Sequence, residues 1–417
     1  MFNILLLTDH FPPEIGSAAY LFYELGCELT KRGYDVKVLT TFPRYYNLSK
    51  PAEKYKKKFL MLEKMDGMGV FRVRGLPIPK DNLLLRGSEQ FLLPIILISR
   101  GLFLKKPHVI VVYSPPLPLA FISWILSRIK KCKLVVNIQD LYPQTIIDVG
   151  MLKNKFLIKI FRGLENFVYT HSDFLTVHSE NNKKYLIEHG ASEEKVEVVY
   201  NWVDIDFIKP LKKLNEFEGI DLKNKFVVSY AGVLSIHQGL DVVIDAAKLL
   251  KGKKDIIFLL VGDGFAKVPL AQKIEEHGLS NVIFLPFQPK EKYRVLMACS
   301  DVSLVCLRKD VATPVVPGKL MSIMASGRPV IASVPLLNDT VGIVREGNFG
   351  VAVEAGDSKA LAEAILKFYE NPQLIKDFGE RGRIYAEKHF SIYRGIDKYE
   401  NLFNELCIDV KGDGEHG

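Results

Sequence analysis

Short β-branched runs alternate with longer helical patterns along most of the chain, break off near residue 205, and then begin again. This alternation is the mark of βαβ units and parallel sheets. In the first half the expected strands are NILLLT (3–8), DVKVLT (35–40), VFRVR (70–74), VIVVY (109–113), KLVVNI (133–138), FLTVHS (174–179) and EVVYN (197–201). A polar, turn-rich break, NWVDIDFIKPLKKLNEFEGI, follows. The pattern resumes with FVVSYAG (226–232), IIFLLVGDG (256–264), VIFLPF (282–287), VSLVCL (302–307), PVIAS (329–333) and GVAVE (350–354). Between the first two strands, AAYLFYELGCELTKRG predicts an amphipathic helix ended by Gly33. The expected architecture is α/β, with two Rossmann-like parallel-sheet domains facing across a cleft. Residues 1–204 form the first, residues 205–385 the second, and residues 386–417 a helix crossing back to the first, with a polar tail. A ligand is expected in the cleft, at the carboxyl ends of the strands.

With 48% apolar and 25% charged residues, the chain is too apolar to be mainly disordered. Its five cysteines lack CxxC spacing and suit a reducing compartment, against a disulfide framework or zinc site. The net charge of +8 points to anionic partners such as phosphates or headgroups. The opening MFNILLLTDHFPPE reads as a buried strand and not as a signal peptide. The uncharged run at 109–127 has transmembrane length, but Pro115, Pro116 and Pro118 at its centre favour a strand, a turn and a buried helix.

Three junctions have the composition of a site. Gly16, Ser17 and Ala18 are small residues where the first helix begins, so backbone N–H groups there can approach an anion. A GxGxxG fingerprint is absent, which counts against a nicotinamide enzyme. In the second half, YAGVLSIHQGLDVVIDAA ends a strand at Gly232 and opens a helix at Gly239, with His237 and Gln238 between them. The third is LRKDVATPVVPGKLMSIMASGRPVIAS (307–333), where Arg308 and Lys309 follow a strand, and Gly318 and Lys319 introduce a helix. A lysine at a helix start adds a point charge to the dipole and suits a diphosphate.

The ordered set PPEIGSAA, N201-W-V-D204, AGVLSIHQGLDVVIDAA, LLVGDG (with Gly262), PGKLMSIMASGRPVIAS and GDSKALAEAI resembles glycosyltransferase family 4 over about residues 1 to 390. The likeness is nearest to the branch of cell-surface polysaccharide transferases of the fucosamine-transferase and colanic-acid type. It implies the GT-B fold, a nucleotide-sugar donor held mainly by the C-terminal half, and stereochemical retention with no cofactor or metal. By this resemblance Gly16 faces the donor diphosphate. Lys319 matches the lysine of a Pro-Ser-Lys motif, with Gly318 replacing the serine. Glu346 matches a glutamate before a cysteine-glycine turn, with Phe349 for the cysteine. Asp140, in NIQDLYPQT, matches an Asp-Leu-Trp-Pro motif on the acceptor side, with Tyr142 for the tryptophan.

There are also departures. The family's glutamate pair falls on Pro314 and Ser322, its diphosphate-gripping lysine on Gln238, its arginine near Val233, and its histidine on Gln139. Donor recognition is then expected to lean on Lys319, Arg308 and backbone N–H groups. Asp204-Ile205-Asp206 spells DxD but lies in the connector, where a linker cap explains it better than a metal site.

Residues 44–74 carry nine Lys or Arg against three Asp or Glu, interleaved with Tyr45, Tyr46, Tyr55, Phe59, Leu60 and Met61. Such a basic aromatic segment suits an anionic bilayer surface. The apolar stretch 90–106 is too short and broken to span, and is expected to be a core helix. No nucleic-acid signature accompanies the charge. The resulting expectation is a retaining transferase, acting at the cytoplasmic membrane face, that moves a sugar from a nucleotide donor (UDP-sugar favoured) to a lipid-linked or glycan acceptor. Lys319 would stabilise the leaving diphosphate, and Asp140 would orient or deprotonate the acceptor. Two rivals stay open, a non-hydrolysing nucleotide-sugar epimerase of the same fold and a non-catalytic nucleotide- or glycan-binding subunit.

Overall fold

The computed structural model describes residues 2–14, 16–43, 55, 58–75, 83–148, 150–310 and 316–412, with backbone only for 17, 83–89 and 407–412. The chain divides into two compact units, Met1–Asn201 with Ile392–Gly417, and Trp202–Ser391.

In the first unit the chain order is β1 (Asn3–Leu7), α1 (Ser17–Lys31), β2 (Asp35–Thr41), β3 (Leu60–Met65) and β4 (Met68–Val73). Next come α2 (Leu83–Gly101), β5 (Val109–Ser114), α3 (Leu117–Lys130), β6 (Lys133–Ile138) and α4 (Gln144–Asp148). The unit continues with α5 (Lys155–His171), β7 (Phe174–Val177), α6 (Glu180–Glu188) and β8 (Val196–Val198). The sheet order is β3-β4-β2-β1-β5-β6-β7-β8, parallel throughout except for β3. Helices cover both faces, so β5 is buried at every position and its sequence VIVVYS is nearly all apolar.

The second unit begins with a short hairpin, β9 (Glu216–Phe217) and β10 (Ile220–Asp221). Then follow β11 (Phe226–Ala231), α7 (Asp241–Leu249), β12 (Ile256–Val261), α8 (Lys267–Glu276), β13 (Val282–Leu285) and α9 (Lys290–Cys299). The unit is completed by β14 (Val302–Cys306), α10 (Lys319–Ala325), β15 (Val330–Val334), α11 (Asp339–Gly347), β16 (Gly350–Glu354), α12 (Ser358–Glu370) and α13 (Pro372–His389). Its sheet, β13-β12-β11-β14-β15-β16, is wholly parallel. The last helix, α14 (Ile392–Gly412), returns to the first unit. There Arg32 pairs with Asp397 (2.8 Å) and Glu400, and Asn137 donates to the Tyr399 hydroxyl (3.0 Å).

In each unit the strand order reverses once. β1 has β2 on one side and β5 on the other; β11 has β12 and β14. The helices leave opposite faces at such a switch point, so the carboxyl ends of those strands open a crevice. The first crevice receives the loop before α1 with Gly16, and the second receives Gly232–Gly239 and Arg308.

Three expectations need correction. The segment read as part of a basic loop includes β3, which pairs antiparallel with β4 at the sheet edge. It escaped notice because LMLEKM is exposed or half-exposed at every position and shows no buried face. The connector contains the β9–β10 hairpin. The stretch 90–106 is only partly core, since Leu93 and Leu97 are buried in α2 while Phe91, Leu92 and Ile95 are exposed. Residues 44–54, 56 and 57 of the basic segment lie outside the described residues, as does Pro314. Among the described residues no helix is long and apolar enough to cross a membrane.

Candidate active site

The second unit's crevice is organised around one ammonium. α10 begins at Lys319, and its Nζ donates to the Tyr230 hydroxyl (2.7 Å) and to Gln238 Oε1 (2.8 Å), while lying 3.9 Å from the centre of the Tyr230 ring. A side chain at Gly232 would come within 3.2 Å of the same nitrogen. The residue as a whole is half-buried, but its head group is walled in by these three neighbours. Among the described residues no carboxylate lies within ion-pair distance. Desolvation pulls the Lys319 pKa down to about 7, opposed by Cys306, whose own thiol is pushed up to about 12 by burial. The site thus holds a cation for which the described residues supply no counter-charge.

The backbone around it is fixed by close approaches. A Cβ on Gly262 would sit 1.9 Å from the Gly232 carbonyl oxygen, so these two strand ends pack backbone on backbone. Gly262 therefore has a packing reason to be glycine. Gly239 has φ +58 and closes the turn Ile236–Gln238, packed on Arg308, whose N–H donates to the His237 carbonyl (2.8 Å). Gly239 does not open the helix as expected, since α7 starts at Asp241. The His237 side chain is exposed. Arg308 is bound bidentately by Asp310, so its charge is already matched. Gly318 has ordinary helical angles and open space around it, so nothing in the backbone demands glycine there. Ser322, at one of the lost glutamate positions, hydrogen-bonds Tyr293.

Glu346 is not brought to this cluster. It is exposed in the last turn of α11, just before Phe349, whose carbonyl accepts from Val330 at the start of β15. That is the amino end of the sheet, opposite Lys319. Tyr230, which sequence reasoning missed, is the second wall of the site. A buried tyrosine at the end of a strand needs a partner for its hydroxyl, and that requirement was the available signal.

In the first unit, Gly16 is the N-cap of α1, with no side-chain cap and nothing within 4 Å of a Cβ built on it. Ser17 is the first residue of that helix. The open N–H groups of a 15-residue helix can receive an anion here. Asp140 follows β6 at the carboxyl edge. It is solvent-exposed, so water mutes the upward push that surrounding protein exerts on its carboxyl, which His178 opposes. Its neighbour Gln139, in the family's histidine position, is structural. Gln139 is buried, donates to Asn137 Oδ1 (2.9 Å) and accepts from Asn201 (2.9 Å).

A second missed group lies in the loop after β1. His10 Nδ1 is 3.0 Å from the buried Glu14 carboxylate, and its Nε2 is 3.6 Å from Asp9. Asp9 follows β1 and Asp140 follows β6, the strands that flank β5, so both carboxylates stand at the carboxyl edge of the sheet. Three titratable residues in TDHFPPE, after the central strand, were the overlooked signal. Asp204 caps the connector by accepting from the N–H groups of Asp206 (3.1 Å) and Phe207 (2.9 Å). Among the described residues no group of three His, Cys, Asp or Glu could hold a metal ion.

Two family models match. Residues 16–202 fit the glycosyl transferase 4-like domain, and residues 212–385 fit glycosyl transferases group 1. A protein named for colanic acid biosynthesis, the glycosyl transferase WcaI of Escherichia coli (strain K12), is 25% identical, covering 98% of this chain and 100% of that protein. N-acetyl-alpha-D-glucosaminyl L-malate synthase of Bacillus anthracis is 23% identical, with 96% of each chain covered. Among solved structures, sucrose-phosphate synthase from Thermosynechococcus elongatus superimposes with a TM-score of 0.78 at 16% identity, covering 98% of this chain and 100% of the other. Anabaena HepE in complex with UDP gives 0.72 at 19% identity, covering 97% and 100%. The chain belongs to glycosyltransferase family 4 and is a transferase of the GT-B fold.

Proposed function

We propose that this transferase takes a hexosyl or N-acetylhexosaminyl group from a UDP-sugar, with retention, and gives it to a lipid-linked or glycan acceptor in cell-surface polysaccharide synthesis. The observation that carries the reading is the Lys319 ammonium, desolvated, held by Tyr230 and Gln238, and with no carboxylate partner among the described residues. A diphosphate is the ligand such a cation lacks, and it is also the leaving group of a nucleotide sugar. Charge that develops on it as the glycosidic bond breaks is stabilised where the protein is already organised and dry. Gln238, standing where the family's lysine is expected, would keep Lys319 aimed. The solved HepE complex with UDP supports the choice of nucleotide, and the WcaI likeness supports polysaccharide synthesis. In the first unit, Asp140 would hold the acceptor hydroxyl, and the open helix start at Gly16 would meet the donor phosphates. The reading needs no resident metal or cofactor, and it puts the enzyme peripherally on the cytoplasmic membrane face.

The test is turnover of UDP-sugars against a lipid-linked acceptor, with the anomeric configuration of the product read by NMR. Retained configuration, activity insensitive to EDTA, and loss in Lys319→Ala would support the proposal. Product formed without any acceptor would favour the epimerase, and nucleotide binding without turnover would favour a non-catalytic subunit.

A further inference from the structure

We propose that the middle of α2 and the amino-terminal half of α5 form the surface by which the first unit lies on an anionic bilayer. This deepens the reading of a lipid-linked acceptor and rests on it for its purpose, but its geometry stands apart. Phe91, Leu92 and Ile95 on α2 are exposed, and so are Phe156, Leu157 and Ile160 on α5, with Met151 just before that helix. In both helices the spacing is i, i+1, i+4, which puts the three residues on one face. Phe156 is 70% and Met151 74% exposed, far more than an ordinary core edge shows. The two helices touch beneath these rows, where the ring of Phe91 lies 5.9 Å from that of the buried Phe161. Exposed apolar rows on two touching helices mark an interaction site.

The charge around it selects the partner. Lys153, Lys155 and Lys159 are exposed beside these side chains, and residues 149–164 carry no Asp or Glu, while the charge of Arg162 is matched by Glu165 (2.8 Å). A second copy of the chain would bring like charges together on this face, whereas anionic headgroups would neutralise them. The start of α5 is fixed by Asn154, whose side chain accepts from the N–H groups of Phe156 (2.9 Å) and Leu157 (3.2 Å), so the apolar row is presented on a formed helix. A helix with an apolar face and a cationic border lies in the plane of the interface. The surface also continues to the acceptor loop, since Phe161 packs 5.2 Å from the ring of Tyr142, two residues after Asp140. An acceptor with its lipid in the membrane would then present its polar end beside Asp140.

The experiment is co-sedimentation of the full chain with phosphatidylglycerol–phosphatidylcholine vesicles and with phosphatidylcholine alone, at low and high salt. Each lysine near an anionic surface is worth about five-fold in partitioning, so replacing Lys153, Lys155 and Lys159 by Gln should weaken binding roughly a hundred-fold. Phe156→Ser with Ile160→Ser should weaken it about ten-fold or more, because removed apolar area no longer enters the interface. The comparison set, Lys54, Lys56, Lys57 and Lys58 to Gln, should lose less than the α5 lysine set. In the parent, vesicles should slow amide hydrogen exchange over residues 151–161, a readout that does not depend on any variant's folding. No binding by the parent, or loss confined to the comparison set, overturns the proposal. So does a dimer in sedimentation velocity that Phe156→Ser and Ile160→Ser dissolve. UDP affinity and transfer to a water-soluble acceptor should be unchanged in every variant. Their failure in the parent would sink the transferase reading while leaving the vesicle result to stand by itself.

Discussion

Arg72 in the first unit and Lys319 in the second both have desolvated head groups, and the two are treated in opposite ways. Arg72, in β4, is 1% exposed and fully matched. Its guanidinium is paired with Glu63, donates to the carbonyls of Thr41 (3.1 Å) and Pro12, and lies near the rings of Phe11 and Tyr55. Lys319 has a hydroxyl, an amide oxygen and a ring face, but no opposite charge among the described residues. A buried charge with its partner present serves the fold. One without a partner costs the fold stability, and that cost has a rationale if a ligand brings the missing charge.

The largest expected effect comes from breaking the matched cation. Arg72→Met removes the guanidinium that neutralises the nearly buried Glu63 carboxylate, which should destabilise the first unit by about 3–5 kcal/mol in denaturant unfolding. UDP affinity of the protein that remains folded should be unchanged. The unmatched cation should behave in the reverse sense. Its folded pKa is about 7, below the ordinary 10.5, so protonation disfavours the folded state. The penalty is complete below pH 7 and fades as pH rises towards 10.5. Lys319→Met should therefore raise stability at pH 7 by about 2–4 kcal/mol. The same change should lower kcat/KM about ten- to a hundred-fold, the worth of a charge-assisted hydrogen bond of roughly 1.5–3 kcal/mol. A variant that is both less stable and fully active would contradict the comparison on both counts.

Smaller effects sharpen the picture. Gly16→Val meets no neighbour inside the protein, so its melting temperature should hold while kcat/KM falls about ten-fold or more. Unchanged kinetics would remove Gly16 from the site. Gly318→Ser should be the mildest, within about 0.5 kcal/mol of the parent in stability, since its backbone angles suit any residue. A large loss of activity there would mean that the open space beside it is occupied during turnover.

The strands were legible because a parallel strand buried on both faces has little choice but to be apolar. β3 was not, because an edge strand with side chains in water carries no such signature. Lys319 and Asp140 were singled out through motif order, and both stand on the carboxyl side of their sheets. Glu346 was drawn in by the same motif reasoning, but the length of α11 carries it to the other end of the sheet. The role of Gln238 could not be read, since it depends on a contact across 81 positions of sequence. Viewed as a lost lysine it looked like damage to the site, yet in the fold it holds the lysine that remains. Tyr230 and the Asp9–His10–Glu14 group were missed for a related reason, as each gains meaning only from neighbours that the fold supplies.

The most direct test of Lys319 as the diphosphate cation is proton uptake on UDP binding, measured by calorimetry at pH 8 in buffers of differing ionisation enthalpy. With a free pKa of about 7 the lysine is mostly neutral at that pH, and the diphosphate should hold it charged. The parent should take up close to one proton per UDP bound, its affinity falling up to about ten-fold per unit as pH rises above 7, and Lys319→Met should take up none. Equal uptake in parent and variant, or UDP affinity that Lys319→Met leaves intact, would show that this ammonium does not receive the diphosphate.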